Sequence, residues 1–103
     1  MTARVLALYN RPTDTAAFDR HYTTTHIPLA KRLPGLRSYT VSGGGVAGPQ
    51  AETPYYLVAE LDFDSVADIQ AALGSPEGQA VAGDLPNFAT GGVTLVWYDV
   101  TPA

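Results

Sequence analysis

The chain has 103 residues, 46% of them hydrophobic and 16% charged, which is typical of one small globular domain over residues 1–103. Its net charge of −4 argues against nucleic acid as a partner, because phosphate backbones need clustered Lys and Arg. The absence of cysteine excludes disulfides, thiolate nucleophiles and cysteine metal sites. No apolar run is long enough for a membrane span and no signal peptide pattern is present, so we expect a cytoplasmic protein without a membrane partner.

The basic residues are unevenly distributed along the chain. All six lie in the first 37 positions, whereas eight of the ten acidic residues follow them. The two segments either interleave in one fold and mix their charges on the surface, or leave a basic rim near an anionic ligand.

The first half of the chain predicts a strand, a helix and a second strand. Residues 3–9 form a short apolar strand, and Asp14 then caps a helix. Pro28 predicts a break or kink in that helix before a final turn to Leu33. LRSYTVS, residues 36–42, alternates as a strand does. An apolar stripe at intervals of three and four should face the sheet; its members are Phe18, Tyr22, Thr25 and Leu29.

The second half predicts a loop, a strand, a helix in two pieces and a last strand. Residues 43–54 are rich in Gly and Pro, which indicates a mobile flap or an irregular hairpin end. Residues 55–63 are the clearest strand. Ser65 caps a helix that Gly74 ends, and a second short helix runs from Ser75 to about Leu85, before Pro86. Residues 93–100 form the last strand.

The resulting order, βαββαβ, predicts an α+β fold of the ferredoxin-like type, with a four-stranded antiparallel sheet and helices on one face. The last two strands carry large apolar residues on both faces, whereas a sheet with one solvated face should alternate apolar with polar. The face without helices therefore predicts a homodimer.

Both histidines of the chain lie in the first helix, five residues apart. Ligands on one helical face need a spacing of three or four, and in an unbroken α-helix His21 and His26 would point about 140° apart. This spacing argues against a shared metal ion. Because both histidines lie in the first helix, the second half of the chain has no histidine that could ligate haem.

General acid–base chemistry fits His26 better. Near the end of its helix, the helix dipole would favour a protonated imidazole, and Tyr39 on the adjoining strand could donate a hydrogen bond to a developing oxyanion. The alternative is that His26 caps loop carbonyls and Tyr39 fills a core edge. Other aromatic or imidazole side chains either line a pocket for a substrate or fill the core and dimer interface; these are His21, Tyr22, Tyr9, Phe88 and Trp97.

Three segments carry a resemblance to a known family: AFDRHYTTTHIPLAKRLPGLRSY, PYYLVAELDFDS and SPEGQAVAGDLPNFATGGVTLV. They resemble the EthD family of the dimeric α+β barrel superfamily. The resemblance covers nearly the whole chain, and it implies a ferredoxin-like monomer whose sheet packs on the sheet of a second copy.

The resemblance also implies a range of activities. Related barrels include polyketide cyclases, cofactor-free monooxygenases and lactone isomerases, and in the isomerase-like relatives a His and a Tyr at the places of His26 and Tyr39 are implicated in the site. Haem-degrading relatives need a histidine on the second helix, which is missing here. We expect a protein without a cofactor that binds a small hydrophobic or aromatic metabolite, either as an isomerase, cyclase or monooxygenase or as a non-catalytic carrier for an oxidative or biosynthetic pathway.

Overall fold

A computed structural model describes residues 1–50 and 53–103. The elements in chain order are β1 (Thr2–Asn10), α1 (Thr15–His21), a π-helical turn (Tyr22–His26), α2 (Ile27–Ala30), β2 (Ser38–Val41), β3 (Tyr55–Phe63), α3 (Val66–Gly74), α4 (Pro76–Phe88) and β4 (Val93–Val100). The predicted strands are all present, although β2 is shorter than the predicted 36–42. The predicted segment 43–54 includes residues 51 and 52, which lie outside the described residues.

The four strands form one antiparallel sheet in the order β2-β3-β1-β4. This order confirms the ferredoxin-like α+β fold. The long central pair fixes the register, with Ala7 opposite Ala59 on β3 and opposite Leu95 on β4. Successive side chains of a strand point to opposite faces, so residues in these paired positions share the face that the helices cover.

The core lies between that face and the helices. The odd-numbered residues of β1 from Ala3 to Tyr9 are buried, and so are Ala59, Leu61 and Phe63 of β3. Phe18 and Ile69, which come from the helices, are almost completely inaccessible to solvent. The helices therefore cover most of one side of the sheet, and a cavity remains within this layered core.

The predicted break of the first helix at Pro28 is wrong. Ile27 has helical backbone angles, φ −57° and ψ −48°, and the helical path continues through Pro28 to Ala30. The irregularity lies earlier, in the π-helical turn, where the Ile27 amide donates to the Tyr22 carbonyl five residues back. A π turn often occurs as a single insertion in an α-helix.

The π turn also changes which residues face the sheet. The predicted stripe placed Thr25 and Leu29 on the buried side, but Thr25 is exposed and Leu29 is only half-buried. His26 and Ala30 are buried instead, together with Phe18 and Tyr22 as predicted.

The predicted end of the second helix at Leu85 is also wrong. α4 includes Pro86 and runs to Phe88, and the Ala89 amide donates to the Leu85 carbonyl across the last turn. Proline removes one amide donor, and so close to the end of a helix that loss affects only one bond of the ladder. The two extra residues, Asn87 and Phe88, are both near the candidate site described below.

The sheet face without helices carries Val96 and Tyr98, which are 41% and 40% exposed. Arg4 lies on the same face and forms a two-pronged ion pair with Asp62, while Arg37 pairs with Asp64. These pairs join the basic first part of the chain to its acidic second part, as the mixed-charge interpretation predicts. In the part of the chain that the structure describes, no helix is long and apolar enough to cross a membrane.

Candidate active site

A cavity lies between the sheet and the helices. It is partly open to solvent. Most of its wall is apolar. The sheet contributes Val5, Ala7, Ala59, Leu61, Phe63 and Leu95, and the helices with the turn after α2 contribute Ala30, Leu33, Leu73, Val81 and Leu85.

Four side chains with polar atoms also line this cavity: Tyr9, Tyr22, His26 and Tyr39. Tyr9 Oη lies 3.4 Å from His26 Nε2. The hydroxyls of Tyr22 and Tyr39 are hydrogen-bonded to each other. The structure thus brings together both residues predicted as catalytic and two of those predicted to bind the substrate.

The buried carboxylate of Asp84 is hydrogen-bonded to the imidazole of His26. His26 Nδ1 is 2.9 Å from Asp84 Oδ2, and His21 Nε2 is 2.8 Å from Asp84 Oδ1. Asn87 Nδ2 donates to the same Oδ1 at 3.0 Å. Asp84 is 6% exposed and His26 only 3% exposed. One carboxylate therefore links the two histidines.

The π turn explains how two histidines five residues apart reach one carboxylate. In a π-helix the hydrogen bonds run from residue i to residue i+5, so residues at that spacing lie closer to one face than they do in an α-helix. The prediction that His21 and His26 lie on opposite flanks of the helix assumed α-helical geometry. It is wrong because the segment between the two histidines is not α-helical.

The pKa of His26 is lowered from its ordinary value. Burial is the main cause, because it disfavours the charged imidazolium, and the nearby His21 acts in the same direction. The hydrogen bond and the charge of Asp84 offset only part of this effect. The predicted stabilisation of the protonated form by a helix end is therefore wrong: His26 lies inside the helical path, and its environment favours the neutral form.

Asp84 has a pKa below its ordinary value. Burial alone would raise this pKa, but the hydrogen bonds from Asn87, His21 and His26 stabilise the carboxylate and outweigh it. An ionised carboxylate is an acceptor only, so each ring nitrogen that contacts Asp84 carries a proton. His26 then donates through Nδ1, and its unprotonated Nε2 is an acceptor for the Tyr9 hydroxyl.

The phenols at the cavity are neutral at physiological pH. Burial is the main cause that raises the pKa of Tyr9, Tyr22 and Tyr39 above the usual tyrosine range. Neutral phenols remain hydrogen-bond donors. In the Tyr22–Tyr39 pair one hydroxyl donates to the other, so the accepting hydroxyl keeps its proton free for a further partner.

The other predicted substrate-binding residues lie outside the cavity wall. His21 contacts Asp84 but is not among the lining residues, and its side chain is 28% exposed. Phe88 packs behind the site, with its ring centroid 4.6 Å from that of His26. Trp97 is on β4, on the helix-covered side of the sheet but 41% exposed, and it is not among the lining residues.

Asp84 is the residue that the sequence-based prediction missed. Its sequence signal is a carboxylate on the same helical face as Phe88, four residues later, and Val81, three residues earlier. Because the predicted helix ended before Pro86, Phe88 was not placed on this face, and the spacing of Val81, Asp84 and Phe88 was not recognised.

The residues around Asp84 do not converge on a common point. The two imidazoles contact opposite oxygens of its carboxylate. Over residues 1–50 and 53–103, no group of three or more histidine or acidic side chains is arranged to hold a metal ion.

Comparison with known proteins identifies the family. The EthD domain matches residues 10–92. The chain belongs to the EthD family. It is 41% identical over 97 residues to an uncharacterised 11.0 kDa protein of Rhodococcus erythropolis from the thcB-thcC intergenic region, covering 93% of this chain and 92% of that one. An EthD family protein of Bacillus halodurans has a similar crystal structure, with 36% identity, a TM-score of 0.88, and coverage of 98% of this chain and 100% of that one.

More distant structures share the fold. The hydroxynitrile lyase of Passiflora edulis is 16% identical with a TM-score of 0.77, covering 99% of this EthD chain and 95% of the lyase. SnoaB, a cofactor-independent oxygenase of Streptomyces nogalater, is 17% identical with a TM-score of 0.64, covering 99% and 94% of the two chains. Other solved structures of this fold are described as dimeric ferredoxin-like proteins.

Proposed function

We propose that this EthD protein is an enzyme that transfers a proton to or from carbon in a small, largely apolar substrate with an oxygen function, and that His26 is its general acid–base. The observation that carries this proposal is the placement of His26. Its Nδ1 is bonded to Asp84, while Nε2 lies at the cavity wall next to the Tyr9 hydroxyl. A neutral imidazole with an unprotonated Nε2 is the form that can accept a proton.

The phenols complete the chemistry of the proposed reaction. When a base removes a proton from carbon next to a carbonyl, negative charge develops on the carbonyl oxygen. Tyr22 and Tyr39 line the same cavity, and the hydroxyl of the pair that accepts from the other has a proton to donate to that oxygen. We assign Tyr39 as the oxyanion donor, with Tyr22 and Tyr9 as neighbours that bind and orient the substrate. Such proton transfer needs a base and an oxyanion donor but no cofactor.

Enzymes among the distant proteins of this fold support an enzymatic role. They include a lyase and a cofactor-independent oxygenase, so the fold supports reactions at small organic substrates. For this chain we infer isomerisation or cyclisation first, because both need only proton transfer at carbon. Oxygenation would need the same carbanion followed by reaction with O₂.

We further propose that the protein acts as a homodimer. The apolar side chains on the open sheet face, Val96 and Tyr98 among them, are what a second sheet would bury. The dimeric proteins of the same fold support this arrangement.

A second candidate is a non-catalytic carrier of a hydrophobic metabolite. Its support is that the polar groups of the cavity are already bonded to one another: Tyr22 to Tyr39, and His26 to Asp84. A carrier needs the apolar wall but no proton transfer. A ligand that binds and is released unchanged would favour it.

The test is proton exchange at carbon in D₂O, measured by NMR on a panel of small ketones, aldehydes and β-dicarbonyl compounds that the protein is first shown to bind. We expect the wild-type protein to accelerate exchange of at least one bound compound. The His26→Gln variant should lose at least 99% of that acceleration, since general acid–base catalysis contributes about 10²- to 10⁴-fold.

The matched control is Thr25→Gln, at the neighbouring exposed position of the same π turn. It should keep the wild-type rate. Equal rates in His26→Gln and wild type would exclude His26 as the base. Binding without exchange across the whole panel would favour the carrier.

A further inference from the structure

Asp84 and His21 form an arrangement that the proposed reaction does not itself require. A general base needs only His26, yet the carboxylate behind it is buried and receives three hydrogen bonds. Two of these bonds, from His21 and Asn87, go to Oδ1, while Oδ2 receives only His26. The carboxylate is therefore fixed in rotation, because its first oxygen is held from two sides.

We infer that Asp84 is a positioning residue that holds His26 in the tautomer with the proton on Nδ1, and that His21 anchors the Asp84 carboxylate for this purpose. This inference rests on the proposed function, because it concerns the orientation of the same base. Imidazole has two neutral tautomers, and only the one protonated on Nδ1 leaves Nε2 free to accept a proton at the cavity. An ionised acceptor opposite Nδ1 selects that tautomer.

The geometry of the π turn makes His21 the anchor. Its Nε2 reaches Asp84 Oδ1 at 2.8 Å, and its ring stacks on Phe88, with the two centroids 5.3 Å apart and the planes 17° from parallel. Phe88 in turn contacts the His26 ring. His21 thus holds the Asp84 carboxylate through a hydrogen bond. Both imidazole rings also pack against the Phe88 ring.

The chain has only two histidines, so its imidazoles can be observed one by one. Protein labelled with ¹⁵N-histidine gives long-range ¹H–¹⁵N NMR spectra in which each ring nitrogen is seen as protonated or bare. Each signal is assigned by its loss in the His21→Gln or His26→Gln variant. At a pH where His26 is neutral, we expect Nδ1 protonated and Nε2 bare in nearly all wild-type molecules.

Three variants test the two roles. Asp84→Asn should lose the single tautomer, since an amide can present either an acceptor or a donor to Nδ1. His21→Ala should give a mixture of tautomers. His21→Gln should restore the wild-type spectrum, because its amide nitrogen has about the same reach as Nε2 and keeps the donor to Asp84. A merely structural role of His21 would not be rescued in this selective way.

The outcomes separate this inference from the proposed function, because tautomers are measured without any substrate. A wild-type His26 protonated on Nε2 would overturn the positioning role of Asp84. An unchanged His26 spectrum in His21→Ala would overturn the anchoring role of His21. If the amide spectrum shows that His21→Ala does not fold, His21→Gln alone tests the anchoring role. Loss of the wild-type His26 tautomer in His21→Gln would then contradict that role. Correct tautomers with no catalysis would refute the proposed function only.

Discussion

Acidification below neutral pH should destabilise this protein through His26. The imidazole is 3% exposed and its pKa is lowered in the folded protein, mainly by burial, from the ordinary value of 6.5. Below pH 6.5 the unfolded chain therefore takes up a proton at this position while the folded chain does not. Where the unfolded state binds more protons, the free energy of unfolding rises with pH. The stabilisation is complete above pH 6.5 and is lost as the pH falls towards the folded pKa.

The size of the effect follows from one proton. A difference of one bound proton changes the free energy of unfolding by at most about 1.4 kcal/mol per pH unit. With a urea m-value of about 1–3 kcal/mol/M for a small protein, the unfolding midpoint should fall by at most about 0.5–1.4 M per pH unit. Asp84 does not interfere in this range. The lowered pKa of Asp84 also stabilises the folded protein, but this stabilisation declines only below pH 3.8, the ordinary pKa of the carboxyl group.

The assay is urea unfolding between pH 7.5 and pH 5 at one fixed protein concentration, since the stability of a dimer depends on concentration. His26→Gln is the comparison, because it removes the titrating ring while other groups of the chain still titrate. We expect the variant to be less stable at pH 7.5 but to lose less stability than wild type on acidification. Parallel slopes for the two proteins would refute the argument that burial lowers the pKa of His26.

Two further predictions concern packing and assembly. Gly78→Ala should destabilise the protein by about 1–3 kcal/mol in thermal or urea unfolding, because its Cβ would lie 2.2 Å from the Ala72 carbonyl oxygen. Gly74→Ala, with no atom within 4 Å of the new Cβ, should be neutral or stabilising by up to about 1 kcal/mol, and equal stability of the two variants would contradict this account. Val96→Asp on the open sheet face should convert the proposed dimer to monomer in sedimentation experiments, whereas the exposed Gln79→Asp on α4 should not. A Val96→Asp dimer of unchanged affinity would exclude this face as the interface.

The fold was predictable because its signals are local. Asp14 accepts from the Ala17 amide and Ser65 from the Asp68 amide, as their capping positions predict. The last two strands begin and end where their apolar runs do, at Tyr55–Phe63 and Val93–Val100. Their apolar residues on both faces also pointed to a second sheet. Each of these features depends on a few neighbouring residues, which the sequence displays directly.

The site was only partly predictable, because its key contacts depend on helix geometry. His26 and Tyr39 were predicted from their chemistry, and both line the cavity. Asp84 was missed because the proline rule ended α4 too early. Pro86 is exposed and lies in the last turn, where the loss of one amide donor is a small cost against the burial of Phe88 behind it. A rule about one residue was outweighed by packing across the whole helix.

The π turn is the feature on which the candidate site depends most. A spacing of five places two side chains on different faces of an α-helix but closer to one face of a π-helix, so the same spacing supports opposite conclusions. The chain does contain hints of the second geometry. Pro28, two residues after His26, has no amide hydrogen to donate to an α-helical partner. Three consecutive threonines, residues 23–25, precede His26, and the Thr24 hydroxyl donates to the Arg20 carbonyl. The π turn lies between His21 and His26, and both histidines contact one buried carboxylate.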